Sequence, residues 1–325
     1  MNIMRSNGSR MLLPDLEKPV IFIVGPTASG KTSLSIQLAK RFDSEIISAD
    51  SRYFYRKMDI GTAKPSNEEL GTVKHYLIDI ADPDESVSVA EFKQAVNKII
   101  SNLHNRNKIP FVVGGTGQYI HAILKNWKMP EIEADHQLRI ILERFAEQHG
   151  KLRLFEFLEK FDPDSARLID YRNVRRTIRA VEVMLKTGQK FSAQRSKEGS
   201  PFSKKIIGIY WTREVLYQRI DQRIEMMIEN GFIDEVRTLL ASNYSPDLPS
   251  MSAIGYREIV AFIRGEISLD EAIVLMKRNS RQFVRRQANW FKENDPDIKW
   301  FEGNSLNLLN IGDYLISEQG WIRPE

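Results

Sequence analysis

Apolar residues follow two rhythms along this chain. Val20 to Val24 form an unbroken β-branched and aromatic run, as in a strand covered on both faces. A glycine-rich stretch follows, and Thr32 to Phe42 then repeats apolar positions at helical spacing. The runs Glu45–Ala49, Tyr76–Ile80, Ile109–Val113 and Lys205–Trp211 read as further strands. Between the Tyr76 and Ile109 runs, the capping box Ser88-x-x-Glu91 opens a helix. Strands alternating with helices predict an α/β fold built on a doubly wound parallel sheet. From Gln118 to Gly188 no strand pattern appears and helical periodicity with dense charge takes over, so this stretch reads as a helical insertion. Lys190 to Lys204 is polar and turn-rich, a connector back to the sheet. Beyond the Lys205 strand the chain again reads as helical. Leu216–Asn230 is stopped by Gly231, and a long helix opened by Ser268-x-x-Glu271 runs to about Lys292. The expected division is a loose tail over 1–18, the first part of a core over 19–117, the insertion and its connector over 118–204, and core completion with C-terminal helices over 205–325.

Composition narrows the chemistry. Of 325 residues 42% are hydrophobic and 28% charged, enough apolar material for a folded two-domain protein. There is no cysteine, which excludes disulfides, thiolate zinc sites, iron–sulfur clusters and a cysteine nucleophile. No run approaches the roughly 18 apolar residues of a membrane span, and the N-terminus has only Met11-Leu12-Leu13 where a signal peptide carries a long apolar stretch. A cytoplasmic protein without membrane contact is expected. Lys and Arg exceed Asp and Glu by 47 to 43, too small an excess to name a partner, so the distribution of charge has to decide.

Gly25-Pro26-Thr27-Ala28-Ser29-Gly30-Lys31-Thr32 matches the phosphate-binding pattern G-x-x-x-x-G-K-[ST], between the predicted strand and helix that the pattern requires. Glycines let successive N–H groups converge on phosphate oxygens, and the helix N-terminus adds partial positive charge. Lys31 then neutralises an outer phosphate, and the Thr32 hydroxyl offers a ligand to Mg2+. The loop implies a polyphosphate without implying a nucleotide. The next strand delivers Asp50 at its C-terminal end, where open α/β sheets bind ligands; a general base, a metal ligand or a helix cap would each stand there. Asp79, closing Tyr76-Leu77-Ile78-Asp79, competes for the metal role. The Ile109 strand ends in Gly114-Gly115-Thr116-Gly117, either a bare turn or a loop whose glycines admit close approach to a ligand, with the Thr116 hydroxyl beside it.

Basic residues gather in two places. Between Arg167 and Lys186 six stand against two acids; Val174, Ile178, Val181 and Leu185 form the expected buried stripe, with Arg172, Arg175, Arg176 and Arg179 on the other side. From Lys277 to Lys292 there are six bases and no acid, with Arg278, Arg281, Arg285 and Lys292 on one face. A solvated charged face is the bland reading; two acid-poor arginine faces favour nucleic acid, since arginine's planar fork suits phosphodiesters.

The motifs together resemble the tRNA dimethylallyltransferase (tRNA isopentenyltransferase) family. The resemblance rests on GPTASGKT at 25–32, DSRYFYRKMDIGTAKP at 50–65, GGTGQYI at 114–120, RRTIRAVEVMLKTGQKFS at 175–192, and SAIGYREI followed by SRQFVRRQANWFK. It implies a P-loop NTPase-like core with a helical insertion that grips the tRNA anticodon stem, in a protein acting as a monomer. It also implies transfer of the dimethylallyl group from dimethylallyl diphosphate to N6 of adenosine 37, with the base swung out of its stack. By resemblance, residues 25–32 hold the diphosphate with Mg2+, Asp50 accepts the N6 proton, and Lys31 and Arg223 serve the leaving group. Asp50, Ser51, Arg52, Tyr53, Thr116, Arg139 and the run Arg175, Arg176, Thr177, Ile178, Arg179 correspond to tRNA contacts. Many relatives have Gln-Arg where this chain has Arg175-Arg176, which exchanges an amide acceptor for a phosphate contact. The zinc finger that eukaryotic relatives add at the C-terminus does not occur in the sequence, in keeping with a bacterial-type member. The loop alone also suits a P-loop kinase acting on a nucleoside or nucleic acid, which is the alternative.

Overall fold

The computed structural model describes residues 19–130, 132–194 and 200–317, so the predicted tail over 1–18 lies outside the described residues. Six parallel strands form one sheet in the order β3-β2-β4-β1-β5-β6. They are β1 (Pro19–Val24), β2 (Ile46–Ser48), β3 (His75–Tyr76), β4 (Phe111–Gly114), β5 (Ser203–Tyr210) and β6 (Ile298–Glu302). The unbroken apolar run places β1 at the centre, fully buried between β4 and β5. Its side chains alternate between two cores. Val20, Phe22 and Val24 meet Phe92, Val96, Ile100 and Leu103 of α3 (Val89–Asn105), while Ile21 and Ile23 meet Leu34 and Leu38 of α1 (Lys31–Arg41). The capping box is formed: Ser88 Oγ accepts from Glu91 N–H, and the Glu91 carboxylate accepts from Ser88 N–H. Short helices α2 (Asn67–Thr72) and α4 (Gly117–Leu124) complete this half.

Two strand expectations change. The Tyr76–Ile80 run pairs only over His75–Tyr76, because Leu77 and Asp79 take φ of 62° and 54° and break the pleat. The all-helical reading after β5 missed β6, which pairs with β5 from Ile206↔Ile298 to Tyr210↔Glu302. Only Ile298 of β6 is buried, so its apolar alternation is too weak to mark a strand from sequence. Gly208 makes the pairing possible, since a Cβ there would lie 2.3 Å from the Trp300 ring.

The described residues divide into two compact units, one within 19–124 and 201–317 and the other within 125–200. In the first, α9 (Arg213–Glu229), α10 (Phe232–Ala241), α11 (Tyr256–Ile263) and α12 (Leu269–Ala288) share a third core with Met58, and α13 (Ser305–Ser317) returns to the sheet through Ile311 and Leu315. Helix α12 stops at Ala288, short of the expected Lys292.

The second unit holds α5 (His136–His149), α6 (Lys151–Phe161), α7 (Pro163–Ala166) and α8 (Val174–Thr187) around Leu142, Leu154, Leu158, Ile178 and Val181. Helix α8 packs on both α5 and α6, so its buried arc is wider than a single stripe. It takes in Thr177, Ala180, Glu182 and Val183, and it leaves Leu185 54% exposed, contrary to the stripe read from sequence. Glu182 is 0% exposed and fully bonded, to Arg139 Nε at 3.0 Å, Arg139 Nη2 at 2.9 Å, Arg179 Nη1 at 2.7 Å and Asp135 N–H at 2.7 Å. Burial pushes this carboxyl up, and the two guanidiniums with the Asp135 N–H outweigh it, leaving it below its ordinary value. A lowered carboxylate adds stability that is present above its unfolded value and lost as pH falls through the folded one. Removing one partner of a buried ion pair typically costs about 3–5 kcal/mol, so Glu182→Ala is expected to destabilise the protein by that order in urea unfolding at pH 7. The difference from wild type should shrink below roughly pH 4, as Glu182 becomes protonated in both states.

Candidate active site

At the C-terminal edge of the sheet, β1 runs into the loop Gly25–Thr32, whose shape is imposed from outside. Gly25 has φ 150°, and a Cβ on it would lie 2.6 Å from the Ile209 carbonyl of β5. Gly30 is left-handed at φ 93° and caps α1 with no side-chain bond, which leaves the helix N-terminus open to an anion. Three loop carbonyls are tied outward. Lys31 Nζ donates to Pro26 O at 2.5 Å, Arg219 Nε to Ala28 O at 2.8 Å, and Trp211 Nε1 to Ser29 O at 3.0 Å. Arg219 also stacks over Trp211, 4.7 Å from its ring centroid. A fourth tie comes from α12: Thr27 N–H donates to Gln287 Oε1 at 2.9 Å.

Lys31 is half-buried, and desolvation lowers its ammonium from 10.5 to about 8; the Asp50 carboxylate raises it and the Arg223 guanidinium lowers it further. Lys31 thus lies within electrostatic reach of both Asp50 and Arg223. Asp50 Oδ1 accepts from Arg52 N–H at 3.0 Å, the local turn that fixes the carboxylate after β2. Tyr53 is half-buried and its hydroxyl is pushed up to about 12, first by desolvation and then by Asp50; it donates to Ala63 O at 2.8 Å and has Thr32 as a side-chain partner. Arg223 Nη2 donates to Thr62 O at 3.0 Å. The Thr32 hydroxyl and Asp50 carboxylate are hard oxygen donors, and among the described residues no group of three or more His, Asp or Glu side chains forms a metal cluster. Such a sparse set fits Mg2+, which keeps most of its waters and completes its shell with phosphate oxygens.

The second glycine loop is packed closely by its own chain. Its glycines make room for protein. A Cβ on Gly114 would lie 2.4 Å from Ala49 O, on Gly115 2.4 Å from Gln287 Nε2, and on Gly117 2.1 Å from the Trp290 ring. Thr116 Oγ1 is 3.4 Å from Ser51 N, which ties this loop to the Asp50 turn. Arg52 directs its guanidinium at Pro249 O and Ser250 O, both at 3.2 Å. Asp79, the competing metal acid of the sequence reading, pairs with Lys64 Nζ at 2.6 Å.

The string Asp59–Pro65 is shaped by one carboxylate. Glu235 accepts from the N–H groups of Asp59, Ile60 and Gly61 at 2.8, 2.6 and 3.1 Å and from the Tyr256 hydroxyl at 2.6 Å. Gly61 is required there because a Cβ would lie 2.0 Å from the Phe232 ring. This loop supplies the carbonyls that hold both Arg223 and Tyr53. Sequence reasoning missed Gln287, Arg219, Trp211 and Glu235. Arg219 and Trp211 flank the strand-to-helix turn after β5 and Gln287 belongs to a motif already noted, but nothing local marks any of them as touching the phosphate loop.

The two basic faces divide. On α8, Arg175 and Arg176 are exposed, whereas Arg179 and, on α5, Arg139 clamp Glu182. Thr177 and Ile178 are buried in the helical unit. On α12, Arg281 pairs with Asp221 at 2.5 Å, Lys277 pairs with Glu225 at 2.6 Å, and Arg285 Nε donates to Tyr217 OH at 3.1 Å. Lys277 and Arg281 thus form a half-buried seam with α9, whereas Arg278, Arg285, Arg286 and Lys292 are exposed.

The family model described as IPP transferase matches residues 53–294. A tRNA dimethylallyltransferase of Bacillus pumilus is 47% identical over 288 residues, 88% of this chain and 90% of the relative. A tRNA isopentenylpyrophosphate transferase structure from Bacillus halodurans is 40% identical with a TM-score of 0.69, over 93% of this chain and 97% of that one. A eukaryotic dimethylallyltransferase acting on tRNA is 28% identical with a TM-score of 0.77, over 92% of this chain and 78% of its own. With most of its length matched at this identity, the chain belongs to the IPP transferase family of tRNA dimethylallyltransferases.

Proposed function

We propose that this protein transfers the dimethylallyl group of dimethylallyl diphosphate to N6 of adenosine 37 in tRNA, giving N6-(dimethylallyl)adenosine and diphosphate. One observation carries the reading: Lys31, in the phosphate loop, feels the Asp50 carboxylate and the Arg223 guanidinium together, so that a base and two leaving-group cations share one site. The C–O bond to the diphosphate breaks as the N6–C bond forms, and the N6 proton goes to Asp50. The open N-terminus of α1, Lys31 and Arg223 take up the negative charge that develops on the departing diphosphate. Mg2+ held through Thr32, when bound, supplies further charge neutralisation on the same oxygens. The Asp50 turn through Tyr53, with Thr116, forms the adenosine side of the site. Arg175 and Arg176, exposed on α8, supply salt-sensitive phosphate contacts, while Arg139 and Arg179 are pre-oriented by Glu182. The helical unit is the tRNA grip in this reading, and the cytoplasm is the compartment that holds its substrates. Among the described residues no helix is long and apolar enough to cross a membrane.

The direct test incubates the protein with unmodified tRNA, magnesium and dimethylallyl diphosphate, then digests the tRNA and looks by mass spectrometry for a dimethylallyl adduct on adenosine 37. ATP turnover dependent on Lys31, with no adduct, would establish the kinase alternative instead. Asp50→Ala is expected to lower transfer by about 10²–10⁴-fold while tRNA binding, followed by filter retention, stays within a few-fold. Lys31 gives a pH signature. Its ammonium is lowered to about 8 in the free protein, and a bound anion raises it again, so diphosphate binding near pH 8.5 should take up a proton. Calorimetry in two buffers of different ionisation enthalpy reads that uptake; it should vanish in Lys31→Arg, whose guanidinium stays charged.

A further inference from the structure

Gln287 lies in the last turn of α12, 6% exposed, about 260 residues along the chain from the loop it touches. Its amide is used at both ends. Oε1 accepts from Thr27 N–H of the phosphate loop at 2.9 Å, and Nε2 donates to Gly115 O of the second glycine loop at 3.0 Å. An N–H can only meet the amide oxygen and a C=O can only meet the NH2, so the orientation of this side chain is fixed by its partners. Its seat is cut to fit, because a Cβ on Gly115 would lie 2.4 Å from Nε2. The segment that follows is docked on the same loop: Trp290 fills the space left by Gly117, and its carbonyl meets His121 Nε2 at 3.0 Å. A buried amide with both ends satisfied is held firmly, and here it spans two loops that otherwise leave different strands of the sheet.

We infer that Gln287 is a positioning residue that sets the diphosphate cradle against the adenosine side of the site. The inference rests on the proposed function only in taking residues 25–32 as the diphosphate site. By holding the Thr27 N–H, Gln287 removes that donor from the cradle and fixes the loop so that the remaining N–H groups and the α1 N-terminus define the anion position. Through Gly115 it fixes the loop that carries Thr116, whose hydroxyl meets the Asp50 turn. One side chain thereby spaces the leaving-group end from the base end. A glutamate has nearly the same shape and cannot donate, so it would put a second oxygen against Gly115 O.

The test compares wild type, Gln287→Ala, Gln287→Glu, Gly115→Ala and the Gly115→Ala/Gln287→Ala double variant in the full chain. The readouts are KM and kcat for transfer, Kd for inorganic diphosphate by calorimetry, Kd for tRNA, and Tm. Loss of one or two buried hydrogen bonds corresponds to about tenfold, so each single variant is expected to raise KM for dimethylallyl diphosphate and Kd for inorganic diphosphate by that order, with tRNA affinity within about twofold. Gly115→Ala, which displaces the amide, should cost much less when Gln287 is already Ala than when it is present. Diphosphate Kd and KM at wild-type values in folded Gln287→Glu, or additive losses in the double variant, overturn the inference whatever happens to Tm. Absence of transfer by the wild type would sink the proposed function instead and leave the diphosphate-binding arm to judge Gln287 by itself.

Discussion

The structure turns on the requirement that the backbone between Gly25 and Thr32 keep its N–H groups directed at one point while its carbonyls find partners elsewhere. A tight loop cannot meet that requirement alone, because its own carbonyls compete for the same N–H groups. Here Lys31 takes the Pro26 carbonyl from within the loop, Trp211 and Arg219 of the β5–α9 region take two more from far along the chain, and Gln287 at the end of α12 holds the Thr27 N–H. The C-terminal half of the first unit is therefore part of the phosphate site without reaching it, and its packing core around Phe232 and Tyr256 serves the same end. That core holds the Asp59–Pro65 loop through Glu235, and the loop in turn holds Arg223 and Tyr53.

Electrostatics sharpen this arrangement. Lys31 is desolvated near another cation, so its ammonium is disfavoured until an anion arrives. A site organised in this way is poor at holding its charges when empty and well matched to a group that brings several negative charges. In the proposed reaction, preorganisation of that kind would lower the barrier to a departing diphosphate, since the dipoles and cations would not need to reorient. The helical unit solves a related problem differently, by tethering Arg139 and Arg179 to the buried Glu182 while leaving Arg175 and Arg176 in solvent.

Local pattern alone was enough to read the strand–loop–helix opening, the parallel α/β class, the phosphate-binding motif, Asp50 at a strand end, the capping boxes at Ser88 and Ser268, and a basic helical stretch between Arg167 and Lys186. Each of these is written in neighbouring residues, through apolar periodicity, glycine spacing or capping geometry. The rest depends on contacts between distant parts of the chain. The structure showed that Asp79 pairs with Lys64, that the Gly114–Gly117 glycines admit Ala49, Gln287 and Trp290, and that Arg281 and Lys277 close a seam with α9. It also added β6, whose pairing depends on a cleft at Gly208 for Trp300. The physical reason is common to all of them: whether a charge, an amide or an absent Cβ acts on a ligand or on the protein depends on which distant side chain folds against it, and no local pattern carries that information.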